Sequence, residues 1–255
     1  MLQFHPMHPE YSQPLRWLIG LLTLCAVGLT QSDVLAASAS KSSEEAPIYT
    51  PPKKTTPRAR VGGDVRGTDG NDPEVKALVP DHVGLTIKET PVVNWFVSKP
   101  THYEVIVTLR DDRSPKAFQE KSIPPPKQPG IYSINFKELG FTLEPNVQYK
   151  WYVAVIRDPN QHSNNPVAGG VIERCEFNAC VIELKPVLTC SNDQDVMENA
   201  RAGLWYDAMG CLCNLIDSDP KNDKLRRLRA RLLRDVGLNG VAEWDLRSIV
   251  PTSTR

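Results

Sequence analysis

The sequence predicts a mainly β fold with α structure at its C-terminal end, arranged as a two-sheet β-sandwich followed by a helical hairpin. Apolar and polar residues alternate from Val147 to Val155, which is typical of a half-buried strand. Similar short segments recur between Leu78 and Phe177, and turn residues separate them. After Thr189 the apolar residues recur at helical spacing instead.

Leu143, Pro145 and Tyr149 indicate the type of sandwich. A leucine and a proline just before a strand that begins with a tyrosine resemble the tyrosine corner of immunoglobulin-like and fibronectin type III sandwiches. In such a corner the hydroxyl of Tyr149 bonds to the backbone of the preceding loop. The alternative is an ordinary amphipathic strand in which these residues coincide by chance.

Seven segments are the candidate strands of this sandwich, which we place at residues 78–188. They are Gly84–Lys88, Val92–Val97, His102–Arg110, Ala117–Ile123, Gly130–Phe136, Val147–Arg157 and Gly170–Phe177. About seven short strands with a tyrosine corner are what a fibronectin-type sandwich requires. Trp95 and Trp151 lie on two of these strands, so we expect them to fill the core. Stacking of either tryptophan on a ligand is the alternative.

The N-terminal region predicts export. Arg16 precedes an uncharged run from Trp17 to Thr30, and alanines follow between residues 36 and 39. We therefore interpret residues 1–39 as a signal peptide of a periplasmic or extracellular protein. An uncleaved signal that anchors the chain in the membrane is the weaker alternative. Residues 40–77 are rich in Pro, Gly and basic residues and contain few large apolar ones, so they are expected to form a flexible leader.

Residues 189–255 predict a helical hairpin and a C-terminal tail. Apolar residues at helical spacing over Met197–Ile216 indicate the first helix, for which a break near Gly203 stays open. A second helix is predicted from about Asn222 to Val236, with Gly237 as its stop. Trp205 is expected to pack on the sandwich or on the segment around Trp244. The second helix is rich in Lys and Arg, which is typical of a solvated face. Contact of this face with anionic lipid or an acidic protein stays open.

The cysteines suggest one disulfide. Removal of the signal peptide leaves an odd number, so at least one thiol is unpaired within the chain. Cys175 and Cys180 bracket a short turn and are the favoured pair. Cys211 and Cys213 are two residues apart on a predicted helix, about 200° around its axis, and so cannot easily bond to each other.

A polar loop after the strand of Tyr149 is the candidate interaction loop. Its residues Asp158, Asn160, His162 and Asn164 lie where a sandwich displays recognition residues, although an ordinary long turn is the simpler interpretation. We find no catalytic, cofactor-binding or metal-binding motif, so none is predicted. With a formal net charge of zero, the chain also lacks the basic excess of a nucleic-acid binder.

Several short motifs occur in a fixed order along the mature chain. They are Pro51-Pro through Arg66-Gly67, Gly130-Ile-Tyr-Ser-Ile, Leu143-Glu-Pro through Tyr149-Lys-Trp151, Gly170-Val-Ile-Glu-Arg174 and Gly203-Leu-Trp-Tyr-Asp-Ala208. Together they resemble an exported bacterial family known as domain of unknown function 928. The resemblance implies export and architecture and adds no catalytic residue. The last motif, followed by Pro220, also resembles the second helix of a tetratricopeptide repeat.

Two classes of function follow. The first is a non-catalytic module of the cell envelope that binds another envelope protein through the sandwich loops or the helical hairpin. The second is a hydrolase or transferase of unrecognised type, which requires converging polar groups. A deep pocket that gathers His102 or His162 with carboxylates would favour the enzyme. A flat surface with an exposed apolar patch would favour the binding module.

Overall fold

Eight strands and five helices make up the part of the chain that the structure describes. The structure is a computed structural model and describes residues 46–52, 59–62, 72–111, 113–114, 118–160, 164–176 and 189–247. The strands are β1 (Val75–Ala77), β2 (Gly84–Thr86), β3 (Val92–Val97), β4 (Glu104–Asp111), β5 (Phe118–Ile123), β6 (Gly130–Asn135), β7 (Gln148–Ile156) and β8 (Val167–Arg174). The helices are α1 (Phe136–Leu139), α2 (Asp193–Arg201), α3 (Trp205–Ser218), α4 (Asp223–Asp235) and α5 (Asn239–Arg247). The prediction of β-sheets followed by C-terminal helices is confirmed.

The strands form two sheets. One sheet has three strands in the order β1-β3-β6, and the other has five in the order β2-β8-β7-β4-β5. Neighbouring strands are antiparallel except β2 and β8, which run parallel. The predicted signal peptide at residues 1–39 lies outside the described residues, and the described residues belong to one compact unit that spans Glu45–Arg255.

Alternate residues of the strands build a core that the two sheets share. In β7, Tyr149 and Trp151 are buried together with every second residue after them, while their neighbours are partly exposed. Leu109 of β4 lies opposite Trp151, and Trp95 of β3 belongs to the same buried cluster. Because side chains alternate between the faces of a strand, one face of the five-stranded sheet enters the core.

The three-stranded sheet is covered on both faces. Phe96 of β3 contacts Trp244 of α5 edge to face, with ring centroids 5.1 Å apart. Gly210 of α3 lies so close to Val92 that a Cβ at position 210 would come within 3.2 Å of the Val92 Cβ. Residues 93–97 are all buried. A strand buried on both faces has no need of polar alternation, and this explains why every residue of β3 except Asn94 is apolar.

The described parts of residues 40–77 pack against the rest of the molecule, whereas the sequence predicted a flexible leader there. Ile48 and Tyr49 are buried, and their backbone N–H groups donate to the Asp235 carboxylate at 2.8 and 3.0 Å. Strand β1 pairs with β3 at the end of the same stretch. A few apolar residues among prolines are enough to hold this stretch in place, because α4 supplies the Asp235 carboxylate and β3 supplies a free edge for β1.

Residues 189–247, the described part of the C-terminal region, contain four helices rather than the two of the predicted hairpin. The first predicted helix is divided at Gly203, whose φ of +79° is a left-handed conformation that favours glycine. Gly237, with φ of +76°, ends the turn after α4. Helix α5 then occupies residues that we had left without a predicted element. None of the helices within the described ranges is long and apolar enough to cross a membrane.

Candidate binding pocket between the sheets

A cavity of about 500 Å³ opens between β6 and the segment that follows β5. It is lined by Trp95, Ile123–Gln128, Tyr132–Asn135, Glu138 and Leu139. The opening exists because three strands face five. Lys121 and Ile123 of β5 lie opposite Val107 and Val105, on the core side of the sheet. Lys121 is nevertheless exposed, and no described strand covers this part of the five-stranded sheet.

Trp95 lines this pocket and carries an unpaired donor. Among the described residues, its buried Nε1 has no hydrogen-bond acceptor. The other two buried tryptophans differ, since Trp151 Nε1 donates to the Tyr206 hydroxyl at 2.9 Å and Trp205 Nε1 donates to the Leu78 carbonyl at 2.8 Å. Buried indole N–H groups normally have an acceptor. Because this nitrogen is closed off from solvent, it is a buried unsatisfied donor and not a group that the open cavity exposes.

The walls of the pocket are apolar and fixed. The Tyr132 ring lies 5.9 Å from the Trp95 ring, and its hydroxyl donates to the Gln128 carbonyl at 2.8 Å. Pro124–Pro126 form the opposite side, and the Pro126 carbonyl accepts from the Thr101 N–H at 2.9 Å. Three prolines present an apolar surface without N–H donors. The pocket is thus partly formed before any ligand arrives, as small binding sites usually are.

The charged groups of the pocket do not form a catalytic set. Lys127 and Glu138 are its charged lining residues, and both are exposed. The Glu138 carboxylate accepts from the Asn135 side-chain amide at 3.2 Å. Over the part of the chain that the structure describes, no group of three or more His, Cys, Asp or Glu residues could hold a metal ion. The described lining thus holds one ammonium group and one carboxylate, and no His, Cys or Asp.

The described part of the predicted interaction loop is a turn with internal hydrogen bonds. The Asn165 side-chain oxygen accepts from the backbone N–H groups of Arg157 and Asp158, at 2.9 and 3.1 Å. The Asp158 carboxylate accepts from the Asn160 N–H at 2.8 Å. His162 lies outside the described residues, and Asn164 is described without a contact to the pocket. None of the described residues of the loop lines the pocket.

Tyr149 makes the hydrogen bond that a tyrosine corner requires. Its hydroxyl accepts from the backbone N–H of Glu144 at 3.2 Å, in the loop before β7. The Tyr149 side chain is almost fully buried. The loop and the strand are thus joined through one phenol.

The first turn of α3, residues Trp205–Asp207, attaches the helices to the sheets. The Trp205 ring is fully buried, and the Tyr49 ring packs edge to face against it at 5.0 Å. The Tyr206 hydroxyl accepts from Trp151 and donates to the Val171 carbonyl at 3.1 Å. Burial raises the pKa of this hydroxyl, so it stays protonated.

Asp207 extends the same attachment to the end of β2. Its carboxylate accepts from the Ile87 N–H at 3.1 Å and lies 3.7 Å from the Lys88 ammonium. Burial raises the pKa of Asp207, although the charge of Lys88 opposes this shift. The sequence motif at residues 203–208 therefore serves to pack the helices against the sheets.

The structure contains one disulfide that the sequence did not indicate. Cys190 and Cys211 form a disulfide that spans 21 residues and joins the segment before α2 to α3. Cys213 is a buried free thiol, whose pKa burial raises. Cys175 is itself disulfide-bonded. Cys180 lies outside the described residues, so the pairing of Cys175 with Cys180 stays a prediction.

The basic second helix of the predicted hairpin, now α4, uses several cations within the molecule. Arg229 is buried and donates to the Asp245 carboxylate from Nε at 2.8 Å and from Nη2 at 2.7 Å. Burial alone would lower the pKa of Arg229, but the hydrogen bonds to Asp245 hold it above its usual value. Arg231 donates to the Ala46 carbonyl at 2.6 Å, and Lys224 lies 2.7 Å from the Asp193 carboxylate. These contacts reduce the charge that is free to meet a membrane.

The pocket itself was not predicted from the sequence. Its residues come from three separate segments, and each segment looks like an ordinary strand or loop. The run Pro124–Pro126 was the available signal, since prolines at the end of a strand belong at a sheet edge. That Trp95 would lack an acceptor depends on the packing of both sheets and leaves no trace in the sequence.

Comparisons with known proteins place the chain without assigning an activity. A family profile described as Domain of Unknown Function (DUF928) matches residues 61–246. No significant match is found among curated proteins. A solved structure, the multi-domain immunophilin from Arabidopsis thaliana, shares 10% identity over 70% of this chain and 97% of that chain. Its TM-score of 0.18 is too low to support any argument about fold or function.

Proposed function

The chain belongs to the DUF928 family, whose description names no activity, and we propose that it is an exported, non-catalytic binding module of the cell envelope that binds another protein. The pocket between the sheets carries this proposal. Its lining is largely apolar with a few polar side chains, which is the usual composition of a binding site. No cofactor is required for such a role.

The strand order supports a finer assignment to the fibronectin type III class. If β2 is set aside, the first, second and fifth strands form one sheet, and the third, fourth, sixth and seventh form the other. A division of seven strands into sheets of three and four is typical of immunoglobulin-like sandwiches, a group that includes fibronectin type III domains. The helix pairs α2–α3 and α4–α5 likewise favour a relationship to helical repeats. Fold class alone does not establish function, so the pocket remains the main support.

The histidines give little support to the enzymatic alternative. The His82 ring stacks on Tyr49 with centroids 5.7 Å apart, and its Nδ1 lies 2.9 Å from the Val83 carbonyl. The His102 ring packs against Tyr103 with centroids 4.3 Å apart. Neither residue lines the pocket. A hydrolase or transferase would need a base within reach of a bound substrate, and the pocket lining supplies none beyond Glu138.

Export is supported by the uncharged run Trp17–Thr30 and by the disulfide chemistry. The Cys190–Cys211 bond and the bonded Cys175 are typical of proteins in oxidising compartments. N-terminal sequencing of the mature protein should give a start near Ala37 or Ser40. Intact Met1 on soluble cytosolic protein would contradict export, and intact Met1 on membrane-bound protein would favour the signal-anchored alternative.

Photocrosslinking tests whether the pocket binds a protein. A photoreactive amino acid is placed at Gln128 on the pocket rim, at Asn160 in the polar loop, or at Arg234 on the exposed side of α4. We expect a discrete adduct with an envelope protein from Gln128 and none from Arg234. An adduct from Asn160 alone would move the binding surface to the loop. Equal labelling from all three positions would indicate random collisions and remove the support for the pocket.

A further inference from the structure

We infer that the pocket receives an extended segment of a partner polypeptide, which adds to the free edge of β6 as a fourth strand of the three-stranded sheet. This inference rests on the proposed function as a protein-binding module and specifies what the module recognises. In such strand addition, main-chain hydrogen bonds provide affinity, and alternate side chains that enter pockets provide specificity.

The lining of the pocket reaches the edge of β6 and not only one of its faces. Four consecutive residues, Tyr132–Asn135, line the cavity. Successive side chains of a strand point to opposite faces of the sheet, so a cavity in contact with one face would meet only every second residue. Contact with four in a row therefore places the cavity against the backbone edge of the strand.

The hydrogen-bond phase of β6 shows which backbone groups face the pocket. The Phe136 N–H donates to the Pro91 carbonyl at 3.1 Å, just beyond the pair formed by Asn135 and Val92. In an antiparallel ladder, hydrogen-bonded and non-hydrogen-bonded pairs alternate along the strand. Counting back from Phe136, Tyr132 and Ile134 bond to β3. The N–H and C=O groups of Ile131 and Ser133 point to the free edge.

The two free strand edges beside the pocket differ in their chemistry. β5, at the edge of the five-stranded sheet, carries Glu120 and Lys121, and charges of this kind protect an edge from pairing with other chains. β6 has the sequence Gly-Ile-Tyr-Ser-Ile-Asn, with no charge and no proline. Of the described strands, β3 alone pairs with β6. An uncharged, unpaired edge beside an apolar cavity is suited to accept a strand.

The pocket also indicates the side chains of the partner. β6 has six residues, a length of about 20 Å at about 3.3 Å per residue. Lys127 lies just before this strand, and Glu138 lies just after it. A partner strand antiparallel to β6 would therefore match with a basic residue at its N-terminal end and an acidic residue at its C-terminal end. An inward-facing threonine suits the interior, because it is small and its methyl group can pack on Tyr132.

Capped hexapeptides test the inference on the full mature protein. The probe is acetyl-Lys-Thr-Val-Thr-Val-Glu-amide, and a second peptide has its Lys and Glu exchanged. Hydrogen exchange followed by NMR should show protection of the Ile131 and Ser133 amides when the first peptide is added. N-methylation of alternate amides of the peptide, in either of the two phases, is the matched control. In one phase it should weaken binding at least about tenfold, since it removes several main-chain hydrogen bonds.

A charge-reversed variant tests the direction of the added strand. Lys127 and Glu138 are both exposed, so Lys127→Glu combined with Glu138→Lys should fold normally. We expect the wild-type protein to favour the first peptide over the exchanged one by about fivefold, the size of two rim ion pairs. The variant should reverse this preference. An unchanged preference, or binding of both N-methylated peptides at full strength, overturns strand addition.

Other occupants of the pocket give different results, and each would replace the inference. Protection of the Ile131 and Ser133 amides that appears only on dimerisation of the protein alone would identify a second copy as the occupant. Strong protection in the monomer before any peptide is added would identify a segment of the chain itself. Failure of both peptides at millimolar concentration, combined with a specific adduct from Gln128, would overturn strand addition and leave the proposed protein-binding function in place.

Discussion

The Tyr206 hydroxyl joins helix α3 to β7 and β8 through two buried hydrogen bonds. Tyr206→Phe leaves the buried Trp151 N–H and the Val171 carbonyl without this partner. We expect the free energy of unfolding to fall by about 1–3 kcal/mol, measured by urea denaturation. Tyr132→Phe is the control, because its hydroxyl bond to Gln128 is exposed and its loss should cost little. Equal effects from the two variants would show that the buried bonds contribute nothing special.

Asp207 gives a pH-dependent prediction. Because burial raises its folded-state pKa above the unfolded value, proton binding favours the folded protein. This contribution is complete below about pH 4 and is lost as the pH rises through the folded-state pKa. The stability difference between wild type and Asp207→Asn should therefore decrease as the pH is raised above about 4. Denaturation at a series of pH values measures it, and a difference that grows with pH would mean that Lys88 outweighs burial.

At this scale the sequence predicted residue types better than partners. Alternation around Trp151 indicates a buried strand from local information, because the period of two needs no knowledge of the rest of the chain. The acceptor of the Trp151 indole is Tyr206, 55 residues away. No local pattern records such a contact. The same is true of Trp95, for whose Nε1 the described residues supply no acceptor.

At the scale of elements, helix α3 is the main connection between the layers. Trp205→Ala should lower the free energy of unfolding by about 3–5 kcal/mol, the usual cost of truncating a buried large aromatic residue. The ring is fully buried against Tyr49, and its N–H bonds to Leu78. Trp244→Ala on α5 is the matched control, since Trp244 is only partly buried and should cost less. Thermal and urea unfolding of both variants give the comparison.

The accuracy of a predicted element boundary depended on how many residues carry the sequence pattern. We expected β7 and β3 close to their observed limits, because each has at least six residues with a clear pattern. Apolar and polar residues alternate at the start of β7, and β3 is apolar except for Asn94. β1 has three residues, Val-Lys-Ala, and forms a strand because β3 offers it a free edge. Such a short element is chosen by its neighbour, so the sequence of residues 75–77 alone could not reveal it.

At the scale of the whole molecule, the Cys190–Cys211 disulfide constrains the unfolded chain. It closes a loop of about 20 residues, for which the loop-entropy argument gives about 3 kcal/mol of stabilisation. We expect Cys190→Ala combined with Cys211→Ala to lower the free energy of unfolding by about that amount under oxidising conditions. Cys213→Ala removes a buried thiol without a crosslink and serves as the control. A loss no greater than in the control would argue against the crosslink as the cause.

The overall architecture could be predicted because its parts have different periods. The change from a period of two to a helical period after Thr189 separates sheets from helices in the sequence. How the parts join could not be predicted, since the first turn of α3 contacts residues 78, 87, 151 and 171. The pocket depends on this same joining, because it lies between segments that are distant along the chain.

The register of β5 has a consequence for symmetry. Two copies that joined through β5 about a two-fold axis would have to match residues that point to the same face of the sheet. Two registers meet this condition with the greatest overlap. One places Glu120 opposite Glu120, and the other places Lys121 opposite Lys121. Like charges directly opposite each other are destabilising. The alternation of one acid and one base at the centre of this strand thus disfavours a continuous ten-stranded sheet across two identical molecules.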